Sequence, residues 1–328
     1  MAALALAIAP APSQAQNENA GTVAFPFLTM NYDARSMAMS GAAAAVQNDI
    51  YGVLANPAAL GYTNRMQIMA GYRQVMMDVW GCPLGISFPT ANGVFAPYLV
   101  SLTSGDFNVI DDGGIATGER ARSSYTALGL AWAKTLHDNN LAVGAALKGA
   151  YHYVGAGTDN FSAFGAALDL GVQYRQNNGR LTYGATLRNV GAMYGYWNEW
   201  NEYEMPYGFE AGVSFVPRHM PNLRIALDVN RYNGDFTNFE PAFEYTAIAK
   251  TLFIRGGYAF SIMDFEKMLD VLSGERDESY QKSTVNTLSF GVGFNTTMDD
   301  VDIKLDAAMQ FYTDISSPAV IVSVIVAF

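Results

Sequence analysis

From Arg65 to the C-terminus, apolar residues alternate with polar or small ones at a period of two. Leu141, Val143, Ala145, Leu147 and Tyr151 share one face; Ala142, Gly144, Ala146, Lys148 and His152 share the other. Phe164, Ala166, Leu168, Leu170, Val172 and Tyr174 oppose Gly165, Ala167, Asp169, Gly171, Gln173 and Arg175 in the same way. Ile303, Leu305, Ala307, Met309 and Phe311 oppose Lys304, Asp306, Ala308 and Gln310. That period belongs to strands with one apolar and one polar face. It predicts 14 strands, at 65–76, 79–89, 93–104, 123–136, 140–154, 161–175, 180–190, 206–216, 222–232, 238–247, 250–261, 284–295, 301–312 and 318–328. Most are long enough for a tilted strand to cross a bilayer, which takes about ten residues.

The connections sort by length. Those at 90–92, 137–139, 176–179, 217–221, 249 and 296–300 are short, and the long ones, 105–122, 191–205 and 262–283, all fall on the other side. Short turns on one side and long loops on the other is the pattern of an outer-membrane barrel. A water-soluble sandwich has no reason to sort its loops in that way. Val320, Val322, Val324, Val326 and Phe328 share one face of the last segment. In a soluble sheet such a strand would be an exposed apolar edge. A terminal aromatic resembles the signal read by the bacterial barrel-assembly machinery, which makes Phe328 an expected assembly signal and that machinery an expected partner. The predicted fold is all-β, a 14-stranded antiparallel transmembrane β-barrel over residues 65–328, surrounded by outer-membrane lipid.

Composition narrows the alternatives. Of 328 residues, 50% are hydrophobic and 15% charged, against about 25% charged in soluble domains. Mean hydropathy is +0.08, and no run of about 18 apolar residues exists to form a transmembrane helix. A net charge of −11 argues against nucleic acid as a partner. The single cysteine, Cys82, excludes a disulfide framework and a cysteine-rich metal site, and its place in an apolar strand suggests inert packing. The apolar run Ala2–Ala9, then Pro10, Pro12 and Ser13-Gln14-Ala15, reads as a secretory signal peptide over residues 1–16, lacking a basic start. The rival reading is a disordered Ala/Pro tail. With an acidic pI and no lipid-attachment cysteine, export to the envelope of a diderm bacterium is expected.

Residues 23–62, within an N-terminal segment placed at 17–64, break the alternation and hold small residues, Ala-rich stretches and Pro57, which suits the first turn of a short helix. Irregular backbone cannot face lipid with unsatisfied polar groups. This segment, a hatch, is therefore expected to sit inside the barrel as a plug or to close one end of it.

Phe27-Leu28, then Asp33-Ala34-Arg35-Ser36-Met37-Ala38-Met39-Ser40-Gly41-Ala42, Asn48-Asp49 and Asn56-Pro57-Ala58-Ala59-Leu60 together resemble the opening of the PorV/PorQ family. These are 14-stranded outer-membrane barrels related to the FadL fatty-acid transporters, whose relatives carry an Asn-Pro-Ala stretch in their N-terminal hatch. The specific residues of the likeness lie within 25–61, and Ala55 stands where the family usually has an aromatic. The resemblance implies a hatch motif of Asp33, Arg35, Ser36, Gly41, Asn56 and Pro57. It also implies a Bacteroidota-like outer membrane and a noncatalytic part in type IX protein secretion, with other secretion components and secreted cargo as partners. The alternative within the same resemblance is a FadL-like transporter of hydrophobic small molecules.

The residues themselves offer no enzyme chemistry. His137, His152 and His219 are scattered, and no nucleophile–base–acid set, His-x-x-x-His pair or Gly-rich phosphate loop stands out. No catalytic residue, cofactor or metal is expected. Asp299-Asp300-Asp302 and Asp111-Asp112-Gly113-Gly114 read as solvated turns before calcium sites. Strand parity places Lys148, Asp169, Arg175, Arg188, Glu210, Arg224, Asp228, Arg255, Lys304 and Asp306 on the inward face, since an Arg or Lys in lipid costs about 2–4 kcal/mol at the midplane. Opposite signs in similar number suggest an ion-pair network around the hatch rather than a selective pore lining. Loop 191–205 gathers Tyr196, Trp197, Trp200 and Tyr203 with three glutamates, as an interfacial girdle or a partner surface. Ile262, Phe265, Met268, Leu269 and Leu272 recur at helical spacing in loop 262–283.

Overall fold

The computed structural model describes residues 23–76, 78–110, 116–136, 140–156, 159–195, 203–233, 237–261, 286–312 and 315–328. The expected signal peptide, the helical pattern of 262–283, His137, Asp111 to Gly114, and Tyr196, Trp197 and Trp200 lie outside those residues.

Among the described residues, fifteen strands follow the N-terminal segment: β1 (Gln67–Met76), β2 (Val79–Thr90), β3 (Gly93–Thr103), β4 (Phe107–Ile110), β5 (Ala116–Leu136), β6 (Leu141–Ala156), β7 (Asp159–Gln176), β8 (Leu181–Tyr194), β9 (Gly208–Phe215), β10 (Leu223–Tyr232), β11 (Asn238–Ile248), β12 (Leu252–Ser261), β13 (Thr287–Met298), β14 (Val301–Tyr312) and β15 (Ile315–Ala327). All pairings between them are antiparallel. The ring closes because β1 pairs with β15, from Gln67 opposite Ala327 to Gln74 opposite Val320. It is continuous past β4 because β3 pairs directly with β5, from Val94 opposite Ala133 to Thr103 opposite Ser124. Fourteen strands therefore make a closed antiparallel barrel, and closure removes the free sheet edges that lipid could not satisfy.

The extra strand β4 is a short flap on the extended end of β5, which starts at Ala116 rather than near 123. Glu119, Arg120 and Arg122 are exposed there, and Arg122 pairs with Asp106 at 2.8 Å. The period-two pattern fades in this stretch because polar side chains occupy both faces once neither meets lipid. On the ring itself the alternation is plain. Leu128, Leu130, Leu147, Phe164, Leu170, Val172, Ile225, Phe290 and Val292 are exposed, while Ala127, Ala131, Ala146, Ala163 and Ala226 are buried against the interior. The turn from β13 to β14 is made by Asp299 and Asp300, both at positive φ (47° and 68°), as a tight two-residue hairpin requires. Asp302 just beyond it bonds Thr297 Oγ1 at 2.6 Å and Arg65 at 2.7 Å.

Residues 23–63 pack inside the ring. They form one short helix, α1 (Ala34–Ala38), and three 3-10 turns at Pro26–Thr29, Ile50–Leu54 and Pro57–Tyr62. Phe27, Met37, Met39, Ile50, Tyr51 and Leu60 are fully buried, in contact with the small inward residues of the strands.

Candidate functional site

The N-terminal segment is held by its caps and by the wall at once. Asp33 caps α1, accepting from the amides of Arg35 (3.2 Å) and Ser36 (2.9 Å) and from the Ser36 hydroxyl (2.8 Å). Burial pushes the Asp33 carboxyl above its ordinary pKa, with Asp49 and Asp306 pushing the same way and the Ser36 amide pulling back. Gly41 follows α1 at φ +109°, and its amide bonds Ser36 O at 2.9 Å. A Cβ there would meet the Glu240 carboxylate, so glycine serves both the turn and the close approach. Asn56 caps the turn starting at Pro57 by accepting from Ala58 N at 3.1 Å, and its amide group reaches Ala44 O (2.9 Å) and the wall carbonyl of Val172 (3.1 Å). The Asn-Pro pair is thus a cap stapled to β7.

Arg35 makes the strongest link to the barrel. Its Nε and Nη2 each reach a Glu244 oxygen at 2.8 Å in a two-point clasp. Glu244 is shared with Arg255 Nε at 2.8 Å and Arg224 at 3.8 Å, and Arg255 also pairs with Asp306. Lys304 reaches Asp49 of the segment at 3.3 Å.

A second cluster lies near mid-height. Lys148 on β6 pairs with Asp169 on β7 at 2.7 Å, both nearly fully buried. On β8, Arg188 and Asn189 together occupy the place opposite Asp169, since Leu168 pairs with Val190 and Leu170 with Leu187. This β-bulge, with Asn189 at φ 58°, turns two consecutive side chains inward. Strict alternation would have put Asn189 in lipid. The Asn189 amide donates to Asp169 Oδ1 at 2.6 Å, and Arg188 donates to the Tyr232 hydroxyl (2.8 Å) and to Leu28 O (3.1 Å). Lys148→Met alone is expected to cost about 3 kcal/mol, because Asp169 is left charged and buried; adding Asp169→Asn is expected to recover most of it. Urea unfolding of both variants in lipid vesicles checks this, and a single variant as stable as the parent would show that the pair contributes nothing.

Among the described residues, a cavity lies on either side of the segment. A tight apolar cleft of about 20 Å³, room for about one water molecule, is lined by Phe27, Leu28, Val53, Tyr98 and Val100, with Lys148 and Arg188 at its polar side. The Tyr98 hydroxyl and Arg188 Nε are buried without a hydrogen-bond partner. At the short-turn end a polar vestibule of about 260 Å³ is lined by Arg35, Asp49, Arg224, Glu244, Arg255 and Lys304, among others.

The structure thus places Asp33, Arg35, Ser36, Gly41, Asn56 and Pro57 at the joint between segment and wall, and joins Arg35, Arg224 and Arg255 through Glu244, with Asp306 attached through Arg255. It brings Lys148, Asp169, Arg188 and Glu210 together, with Arg188 3.9 Å from Glu210. Among the described residues Arg175 meets no carboxylate within ion-pair distance; its guanidinium lies 3.3 Å from the centre of the Tyr62 ring. Asp228 accepts from Ala44 N at 2.7 Å instead of pairing with a cation. Glu240 and Glu244 were not singled out from sequence, although their inward parity on β11 matches that of Ala242. His152 bonds Ser123 at 2.9 Å and stacks on Tyr125 at 3.9 Å, His219 is exposed in its turn, and Cys82 is half-buried. Tyr203 is half-buried against the core formed by the segment, and Phe328 is exposed, with its amide bonded to Met66 O at 3.0 Å.

No family model matches the chain, and no curated protein matches it. Among solved structures, it is similar to the CymD monoaromatic hydrocarbon channel, at 13% identity over 93% of this chain and 98% of that one, with a TM-score of 0.61. It is similar also to a TodX monoaromatic hydrocarbon channel mutant, at 14% identity over 90% and 98%, with a TM-score of 0.63. At such identity the likeness shows a shared fold, that of a 14-stranded outer-membrane barrel filled nearly end to end by the match. The PorV/PorQ membership implied by residues 25–61 is not confirmed by any of these comparisons.

Proposed function

We propose that the protein is an outer-membrane channel for small hydrophobic molecules, with residues 23–63 acting as the hatch that obstructs its lumen. The observation that carries this reading is the apolar cleft between the Phe27–Tyr32 stretch and strands β3 and β5. A ligand site of this kind is concave and mostly apolar, with a few polar groups that fix orientation; here Tyr98, Lys148 and Arg188 are those groups. The cleft is tight, so an aromatic ring enters as the hatch side chains give way, and the hatch keeps ions out meanwhile. The fold shared with two monoaromatic hydrocarbon channels supports the same reading. The secretion role rests on the 25–61 resemblance alone, and its expected partner surface lies mainly outside the described residues.

Toluene is the simplest probe. Purified protein in detergent is expected to bind it saturably, and cells carrying the protein in their outer membrane are expected to take it up faster than cells without it. Ala127→Trp fills the cleft from β5 and is expected to abolish both effects while leaving heat-modifiable gel mobility intact. Absence of saturable binding by the unaltered protein would overturn the channel reading. Co-purification with secretion components, together with toluene uptake indifferent to Ala127→Trp, would favour the secretion role.

A further inference from the structure

Acids accumulate on the inward face of β9, β10 and β11. Asp228 lies directly opposite Glu240, and Asn230 opposite Glu210. One carboxylate oxygen from each of Glu210, Asp228 and Glu240 comes within 4.8 Å of the other two. Their residues are 4%, 0% and 7% exposed, so water does not screen them. Like charges facing each other across strands destabilise a sheet, and buried charges persist when something pairs with them.

The other wall acids of the lumen have cations. Asp169 has Lys148, Glu244 has Arg35 and Arg255, and Asp306 has Arg255. For the triad, Arg188 at 3.9 Å from Glu210 is the one cation in ion-pair range among the described residues. The hydrogen bonding is equally uneven. Each acid is oriented through one oxygen: Glu210 Oε2 accepts from the Tyr232 hydroxyl (3.5 Å), Asp228 Oδ2 from Ala44 N (2.7 Å), and Glu240 Oε1 from Asn230 Nδ2 (2.6 Å). The second oxygen of each, Glu210 Oε1, Asp228 Oδ1 and Glu240 Oε2, is buried with no partner. Each side chain is held by a donor at one oxygen and meets none at the other, while the Glu210 and Asp228 carboxyls lie within hydrogen-bond reach of each other.

We propose that Glu210, Asp228 and Glu240 bind one hard divalent cation of calcium's chemistry. Oxygen donors alone suit calcium or magnesium rather than zinc, which takes nitrogen and sulfur. Three carboxylates in a dry site favour calcium, since magnesium sheds its water reluctantly and is usually held by one or two. The site touches the N-terminal segment, because Ala44 N holds Asp228 and Gly41 lies against the Glu240 carboxylate. A bound cation would therefore tie β9–β11 to the segment, next to Arg188 at the polar side of the apolar cleft.

Terbium is the probe, since the Tyr232 ring beside Glu210 can sensitise its emission. The full chain in detergent is expected to give one saturable tyrosine-sensitised terbium signal, displaced by calcium at lower concentration than by magnesium. Asp228→Asn and Glu240→Gln are each expected to weaken binding by more than about tenfold, whereas Glu119→Gln on the exposed flap leaves it unchanged. Calcium is also expected to raise the thermal midpoint of the unaltered protein relative to chelator, a readout that survives if a triad variant fails to fold. No saturable signal, a signal unaffected by all triad variants, or an infrared band of a protonated carboxyl at neutral pH with no response to calcium would each overturn the proposal.

Discussion

Glu244→Ala is expected to destabilise the barrel by about 5 kcal/mol, the upper end of the cost of breaking a buried ion pair. The carboxylate is almost fully enclosed and serves three guanidiniums, from Arg35, Arg224 and Arg255. Its loss leaves Arg255 with Asp306, and leaves Arg35 with Val46 O and Asn48. Two consequences separate in experiment. Unfolding of the variant in lipid vesicles should begin at a lower urea concentration. The N-terminal segment, losing its two-point clasp, should become cleavable by added protease under conditions where the strands are still protected. Arg35→Ala should reproduce the protease result with a smaller loss of stability, because Arg255 still neutralises Glu244. Equal protection of the segment in all three proteins would remove Arg35–Glu244 as its anchor.

Gly184→Val is expected to turn a closed protein into a leaking one. Gly144, Gly171 and Gly184 sit on neighbouring strands, with Gly144 paired to Gly171 and Gln173 to Gly184. Each receives backbone or a cap of the N-terminal segment. A Cβ on Gly144 would stand 2.5 Å from Ala58 N, one on Gly171 would strike the Asn56 side chain, and one on Gly184 would strike the Ala44 carbonyl. Backbone cannot yield as a flexible side chain does, and close-packed interiors pass such a clash on. The segment must lift from the wall. In planar bilayers the unaltered protein should show little steady conductance, and Gly184→Val should raise it by an order of magnitude or more, because a fourteen-strand ring without its filling is wide enough for water. Barrel formation should be unaffected, since strand glycines tolerate valine in the ladder. Unchanged conductance would mean that the segment does not seal the lumen.

How much of this was legible in the sequence differs from element to element. All fourteen ring strands follow from the alternation, and so does the inward face of Lys148, Asp169, Arg188, Asp228 and Arg255, because parity is a local property of the backbone. The flap at β4 was missed, since its partner strand runs beyond the bilayer and loses the apolar face that marks a strand. The bulge at Arg188 and Asn189 was missed for a related reason: one extra residue interrupts the period for two positions, too few to register as a pattern. An asparagine at a place where alternation points to lipid was the available signal.

The pairings within the lumen are another matter. The sequence by itself determined the strand count, the closed antiparallel architecture, the lipid-facing residues and the inward charges, since each rests on a period of two and on the cost of putting polar groups in hydrocarbon. Which carboxylate meets which cation, why Arg175 lies on Tyr62, and that Glu210, Asp228 and Glu240 converge, were decided only by the tertiary structure. Those contacts depend on the stagger between neighbouring strands and on where a non-repeating segment of some forty residues seats itself. Both are set by the packing of Gly144, Gly171 and Gly184 against backbone more than 80 residues away in the chain, and a local period carries no information about partners at that separation.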